Sequence, residues 1–256
     1  MKINHATVVV LMLLFAAGLV PKVAAETTVS AAYTYAEGDN KYGTRGWRSM
    51  RQGSGAMLGF RHDIGNVRFG VELEQMSLEV RNVERFPTAN LWPAYDHKLL
   101  ADFRHRSVRV MAGWSHAFDN RIGLWADGGV VFDRWAGGVD TVLTHHVTQE
   151  PVHRVLDPQS HRHWAALGRM GVSIPLWRNA KLDTGIAYQN KTYYLKRAEG
   201  GAGWWNAAVP EDFGSEALIE GTARLHQRFG EHWGAFVEYR HGTQREYARV
   251  GLDWRF

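Results

Sequence analysis

From Tyr247 to Phe256 apolar and polar positions alternate without a break. Ala248, Val250, Leu252, Trp254 and Phe256 share one face; Tyr247, Arg249, Gly251, Asp253 and Arg255 share the other. A period of two is the signature of a strand with one apolar and one polar face. The same alternation recurs upstream over 27–36, 55–62, 67–80, 107–118, 122–135, 163–177, 181–196, 217–229 and 233–240. In 67–80, Val67, Phe69, Val71 and Leu73 face one way and Arg68, Gly70, Glu72 and Glu74 the other. The apolar phase slips at Gln75-Met76, which predicts a bulge or a strand end there. In 217–229, Ala223 and Leu225 flank Arg224, which predicts two outward apolar positions around one inward charge.

The connections between these segments alternate in length. Residues 63–66, 119–121, 178–179 and 230–232 are short and rich in turn formers, whereas 37–54, 81–106, 136–162 and 197–216 are long. Six aromatics, Trp114, Phe118, Trp177, Phe229, Trp233 and Trp254, sit near the short-turn end. Trp47, Trp92, Trp135, Trp164, Trp204 and Trp205 sit near or in the long connections. Two belts of aromatics at opposite ends of half-apolar strands fit two membrane interfaces.

The beginning of the chain reads as an export signal. Lys2 precedes an uncharged apolar run from Ala6 to Val20; Pro21 ends it, and Val23-Ala24-Ala25 offers small residues for cleavage before Glu26. Two units follow: a signal peptide over 1–25 and a single domain over 26–256. The mean hydropathy of −0.33 contains no trace of a helical span, but half-apolar strands escape that measure. Zero cysteines exclude disulfide scaffolds and thiolate metal sites. Removing Lys2 and Lys22 from the 30 lysines and arginines leaves 28 against 26 acidic residues, a balance that gives no reason to expect a nucleic-acid partner.

The terminal alternation ending in Phe256, the export signal, the loop asymmetry and the strand pattern together resemble small Gram-negative outer-membrane β-barrels. That resemblance implies an all-β fold: a closed antiparallel up-and-down transmembrane barrel of about ten strands, within a range of about 8–12. It also implies short periplasmic turns, long extracellular loops and residence in the outer membrane. Trp254 and Phe256 would form the assembly signal read by the barrel-assembly machinery, with periplasmic chaperones acting on the way. Outer-membrane lipid and lipopolysaccharide are the expected surroundings. The functional expectation is an envelope structural or surface-interaction protein, or a porin-like route for small solutes. The alternatives are an outer-membrane enzyme acting on lipid A or peptides, and a soluble periplasmic β-sandwich that binds a ligand. No cofactor is expected.

The face opposite the apolar band is charged, and in a barrel it points into the lumen. By register it carries Arg68, Glu72, Arg109, Asp127, Arg169, Asp183, Glu220, Arg224, Glu238, Arg240, Arg249 and Asp253. Unpaired charge in a confined interior is costly, so these groups are expected to pair or stay hydrated, closing a narrow lumen. Glu238 and Arg240 are expected near Arg249 and Asp253 across the last hairpin.

Little else carries chemistry. His145, His146, His153, His161 and His163 cluster in and after segment 136–162, as weak candidates for a metal site set against an ordinary polar surface loop. No helical His-Glu-x-x-His spacing accompanies them. Ser115 and His116 are adjacent, but neighbouring strand residues point to opposite faces and cannot act as nucleophile and base. Arginines and lysines such as Arg104, Arg106, Arg154 and Arg162 flank the long connections, where they could meet the phosphates of lipopolysaccharide.

Overall fold

The computed structural model describes residues 25–42, 47–86, 95–118, 122–145, 148–149, 151–177, 179–196, 212–242 and 246–256. Ten strands account for nearly all of them: β1 (Ala25–Tyr42), β2 (Trp47–Ile64), β3 (Val67–Phe86), β4 (Tyr95–Ala117), β5 (Gly123–His145), β6 (Pro151–Trp177), β7 (Ala180–Lys196), β8 (Asp212–Phe229), β9 (Trp233–Gly242) and β10 (Glu246–Arg255). Each pairs antiparallel with its sequence neighbours, and β1 pairs with β10, so the sheet closes into a barrel with no free edge. Phe256 N donates to Thr27 O at 2.9 Å, joining the last residue to the first strand.

The short connections and the two described chain ends share one end of the barrel, called here the terminal end. Gly65 and Gly230 adopt the left-handed conformation in two of its turns, at φ 59° and 77°. Glycine enters that region without the steric penalty of a Cβ. At the opposite, far end the strands run longer than their apolar alternation indicates. Residues 136–162 are mostly paired strand rather than loop, with β5 and β6 in register from Trp135↔His161 to Leu143↔His153. Much of 37–54 and 81–106 is likewise paired.

Outward faces carry the apolar band. Tyr33, Leu58, Phe69, Val110, Val130, Met170, Ile186, Ile219, Val237 and Val250 are all exposed on the isolated barrel. On β4 the band runs from Val108 to Phe118; ten residue steps at about 3.3 Å, tilted by about 40°, span roughly 25 Å, the height of a bilayer-matched band. Leu225 is exposed beside inward-facing Arg224, in the order the alternation predicts.

The phase slip at Gln75-Met76 is not a bulge. Pairing of β3 with β2 and β4 runs through these residues with no register shift. What changes is the chemistry of the two faces. Below this level Val71 and Leu73 point out and Glu72 and Glu74 point in; above it Gln75, Ser77 and Glu79 point out and Met76 and Leu78 are buried inside. On β4, outward Val108 gives way to Arg106 and Arg104, while Phe103 points inward. The strands leave the apolar band here and continue with the polarity of a water-soluble barrel.

The terminal-end aromatic belt is present. Trp114, Phe118, Trp177, Phe229 and Trp233 are exposed there, and the Trp233 and Trp254 rings meet edge to face at 4.1 Å. At the far end Trp164 faces outward, 67 % exposed. Trp135, expected in the same belt, is instead buried in the lumen, because its odd position on β5 shares the inward face with Asp127 and Asp133. The side chain of Trp47, and Trp92, Trp204 and Trp205 altogether, lie outside the described residues.

Candidate functional site

The inward positions of the strands supply a mid-lumen ion network. Its centre is Glu74 on β3, whose carboxylate accepts from Arg249 on β10 at 2.6 Å and from Arg109 on β4 at 3.2 Å. Glu72, one inward position away, accepts from Arg109 at 3.2 Å and from Arg169 on β6 at 3.3 Å. Arg169 also reaches Asp127 at 3.1 Å, and Arg68 lies 3.7 Å from the same carboxylate. Glu238 pairs with Arg240 on its own strand and lies 3.7 Å from Arg249. These contacts span the interior between strands that share no ladder, such as β3 with β10 and β3 with β6.

A second group lies toward the terminal end. Asp253 accepts from Ser30 at 2.6 Å, contacts His226 at 2.6 Å and pairs with Arg224 at 3.3 Å. Arg224 also stacks over Phe236, 3.6 Å from the ring centroid. Asp183 pairs with Lys181 at 3.1 Å and accepts from Ser173. Asp253 therefore turns to β8 and β1, while Glu238 turns to Arg249. Glu220 is buried on the inward face of β8. A cavity of about 140 Å³ opens among these groups, lined by Ser30, Arg68, Asp127, Asp183, Arg224 and Asp253 among others.

Toward the far end the lumen changes character. Met76, Leu78, Phe103, Trp135, Leu218 and Tyr247 all point inward and none exceeds 5 % exposure. Phe103 meets Trp135 edge to face at 6.4 Å, and His105 stacks on Trp135 at 4.3 Å. Next to this layer Asp133 holds two imidazoles, His105 Nε2 at 3.0 Å and His163 Nε2 at 3.2 Å. The sequence reading missed His105, which stands in no histidine-rich segment. Its signal was positional, since it shares the inward parity of Ser107 and Arg109.

Of the five histidines weighed for metal binding, His161 and His163 lie on β6 with rings 6.0 Å apart. His163 spends its Nε2 contact on Asp133. His145 and His153 occupy strand positions, paired with Tyr95 and Leu143, but their side chains lie outside the described residues, as does all of His146. Among the described residues no group of three or more histidine, aspartate or glutamate side chains is arranged to hold a metal ion. Ser115 and His116 diverge as strand neighbours must, and His116 packs between Trp114 and Phe118. Trp254 and Phe256 stand 6.0 Å apart at the terminal end.

An even number of strands, a closed ring, an outward apolar band and short turns beside the chain ends make up the architecture of the small outer-membrane β-barrels. No family model and no curated protein matches the chain. Solved structures similar to it include the outer membrane protease OmpT from Escherichia coli, at 8% identity over 94% of this chain and 100% of that one, with a TM-score of 0.49. The translocator domain of the autotransporter NalP from Neisseria meningitidis matches at 12% identity over 98% and 96%, with a TM-score of 0.47. The attachment invasion locus protein Ail of Yersinia pestis matches at 11% identity over 90% and 98%, with a TM-score of 0.35.

Proposed function

We propose that the protein is an integral β-barrel of the Gram-negative outer membrane whose lumen is sealed, and that it acts through its outer surface rather than as a diffusion pore. The terminal end faces the periplasm and the far end the cell exterior. Export uses the signal over 1–25, and periplasmic chaperones and the barrel-assembly machinery deliver the chain.

The observation that carries this reading is the pair of stacked lumen layers. The ion network ties β3, β4, β6, β9 and β10 together at mid-height, and the apolar layer around Trp135 and Phe103 lies beyond it. A solute would have to break several charge-assisted bonds and then pass a layer of buried, mostly apolar side chains. The cavity of about 140 Å³ reaches into the ion network, where Glu72, Arg169 and Glu238 line it, but no residue of the apolar layer does. His105, Asp133 and His163 read as a strut inside the plug rather than as a hydrolytic centre, because all three are buried.

Planar-bilayer recording on refolded protein tests the proposal. Refolding is first verified by heat-modifiable gel mobility and by extraction that requires detergent, which a soluble sandwich would not need. The expected trace is a quiet bilayer without steady channel steps. Sustained, reproducible single-channel conductance would replace the sealed barrel with a narrow pore.

A further inference from the structure

Four arginines stand on the outer wall of the barrel, not in its lumen. Arg106, Arg134 and Arg162 are direct cross-strand neighbours on β4, β5 and β6, and Arg104 lies one outward position above Arg106. Opposite positions on a sheet bring Cβ atoms to about 5 Å, where like charges repel. Among the described residues no carboxylate pairs with any of the four. Arg106 Nε donates to Gln75 Oε1 at 3.0 Å, and Arg134 Nε is buried without a hydrogen-bond partner. Water screens the exposed members of this row, and an anion seated against it relieves the repulsion that remains.

Its height identifies the anion. Directly below the row, on the same face of the same strands, come Val108, Phe132 and Trp164. The Phe132 and Trp164 rings are 4.8 Å apart, and Trp164 stands out from the wall. The arginines therefore occupy the boundary where outward positions change from apolar to polar, the depth of lipid headgroups. A groove on this outer wall passes Ser77, Glu79, Asp102, Arg104, Arg106 and Arg134, with the carboxylates of Glu79 and Asp102 on its far-end side. Together with the Phe132 and Trp164 surface beneath it, the groove offers guanidinium groups at phosphate depth, apolar contact for acyl chains, and the carboxylates of Glu79 and Asp102 with the Ser77 hydroxyl for sugar hydroxyls.

We infer that Arg104, Arg106, Arg134 and Arg162 form a binding site on the outer wall of β4–β6 for a phosphorylated glycolipid of the outer leaflet, of the lipid A kind. This rests on the membrane reading proposed above. Guanidinium forks bind phosphate in bidentate fashion, which suits a row of arginines better than lysines. The bound lipid neutralises the like-charge row and so ties the barrel to its leaflet.

Detergent-purified protein is titrated with bisphosphorylated lipid A, with the same lipid stripped of its phosphates, and with inorganic phosphate, following complex formation by native mass spectrometry. The intact barrel should retain bisphosphorylated lipid A, retain the stripped lipid poorly, and keep its lipid in the presence of excess phosphate. In the Arg106→Gln/Arg134→Gln/Arg162→Gln variant, losing charged hydrogen bonds should weaken retention roughly tenfold or more. The matching triple lysine variant should fall between the two. Equal retention by the glutamine variant, or of both lipids, would overturn the site. Displacement by phosphate alone would replace the lipid with a free anion and overturn it too. Single Arg134→Gln, with heat-modifiable mobility as its folding check, carries the test if the triple variant does not fold. Failure of the native chain to refold in any detergent or lipid would strike at the membrane reading instead.

Discussion

Arg249 on β10 donates to Glu74 on β3 across the barrel lumen at 2.6 Å, with side chains 1 % and 0 % exposed. The two residues lie 175 positions apart in sequence and on strands separated by β1 and β2. Each also serves a second partner: Arg249 lies near Glu238, and Glu74 binds Arg109. The contact thus braces the closed sheet from within. Removing one partner of such a pair strands a charge in a low-dielectric interior, which costs about 3–5 kcal/mol. Arg249→Met and Glu74→Gln should each lower stability toward urea in lipid vesicles by an amount of that order. Because each single change strands the partner that the double variant also removes, the double variant should cost clearly less than their sum. Additive losses would mean that the two side chains do not depend on each other.

The inward parity that places these charges was legible along each strand, since it needs only a period of two. Which charges meet was not. Partners such as Arg169 and Glu72, 97 residues apart, are set by the tilt and stagger of a closed sheet rather than by any local pattern. The reversal of polarity beyond Gln75 was visible in the sequence as a slip. Such a slip reads as a bulge or a strand end as long as Met76 and Leu78 are held to the rule of the lipid-facing positions below them. Once a strand leaves the bilayer, apolar residues belong inside, and the same parity carries the opposite chemistry.

That reversal sets a depth-dependent expectation. Met170 lies midway along the outward band of β6, between Trp164 and Leu176, all three exposed on the isolated barrel. Arginine at a barrel's bilayer midplane costs roughly 2–4 kcal/mol. Met170→Arg should therefore destabilise the protein in phosphatidylcholine vesicles by that order. Arg162→Leu, at the far-end boundary of the same strand, should change stability little in this zwitterionic bilayer, which carries no net charge and no lipid A. Comparable losses at both sites would place the membrane boundary elsewhere.

The apolar plug makes a different prediction. Trp135 is packed against Phe103 and His105, and deleting a buried aromatic side chain typically costs about 3–5 kcal/mol. Trp135→Ala combined with Phe103→Ala should lower thermal stability and admit intermittent current in bilayer recordings. A destabilised but still silent double variant would show that the ion network alone suffices to close the lumen.

Two glycines on β6 should respond very unequally to the same change. A Cβ on Gly171 would lie 2.1 Å from Thr184 O and 2.6 Å from Cζ2 of Trp125, whereas one on Gly168 would have no heavy atom within 4 Å. The obstacle at Gly171 is the backbone of β7, which cannot swing aside as a side chain can. Gly171→Ala should cost on the order of 1–3 kcal/mol as overpacking does. Gly168→Ala should stay within about 0.5 kcal/mol of the native protein, as a surface change does. Urea titrations of the two variants side by side decide this, and equal behaviour would contradict the close approach of β6 and β7.

Phe256 takes part in the barrel's closure and, in the proposed reading, in its delivery. Its backbone N–H adds a bond from beyond β10 to Thr27 on β1, while its ring stands exposed beside Trp254 at the terminal end. The ring contributes little to the folded interior. Its proposed value lies in recognition by the assembly machinery, which would meet this strand end before the barrel closes. Deleting Phe256 removes one hydrogen bond, worth about 0.5–1.5 kcal/mol, so refolding from urea into detergent should remain close to native. In cells the same deletion should sharply lower the heat-modifiable protein recovered in outer-membrane fractions and raise the amount held or degraded in the periplasm. Replacing Phe256 with Tyr should restore most of the yield, because an aromatic end is retained. Full assembly of the deletion variant would remove the terminal aromatic from the targeting role. Loss of refolding in detergent as well would instead make Phe256 a structural clasp between β10 and β1.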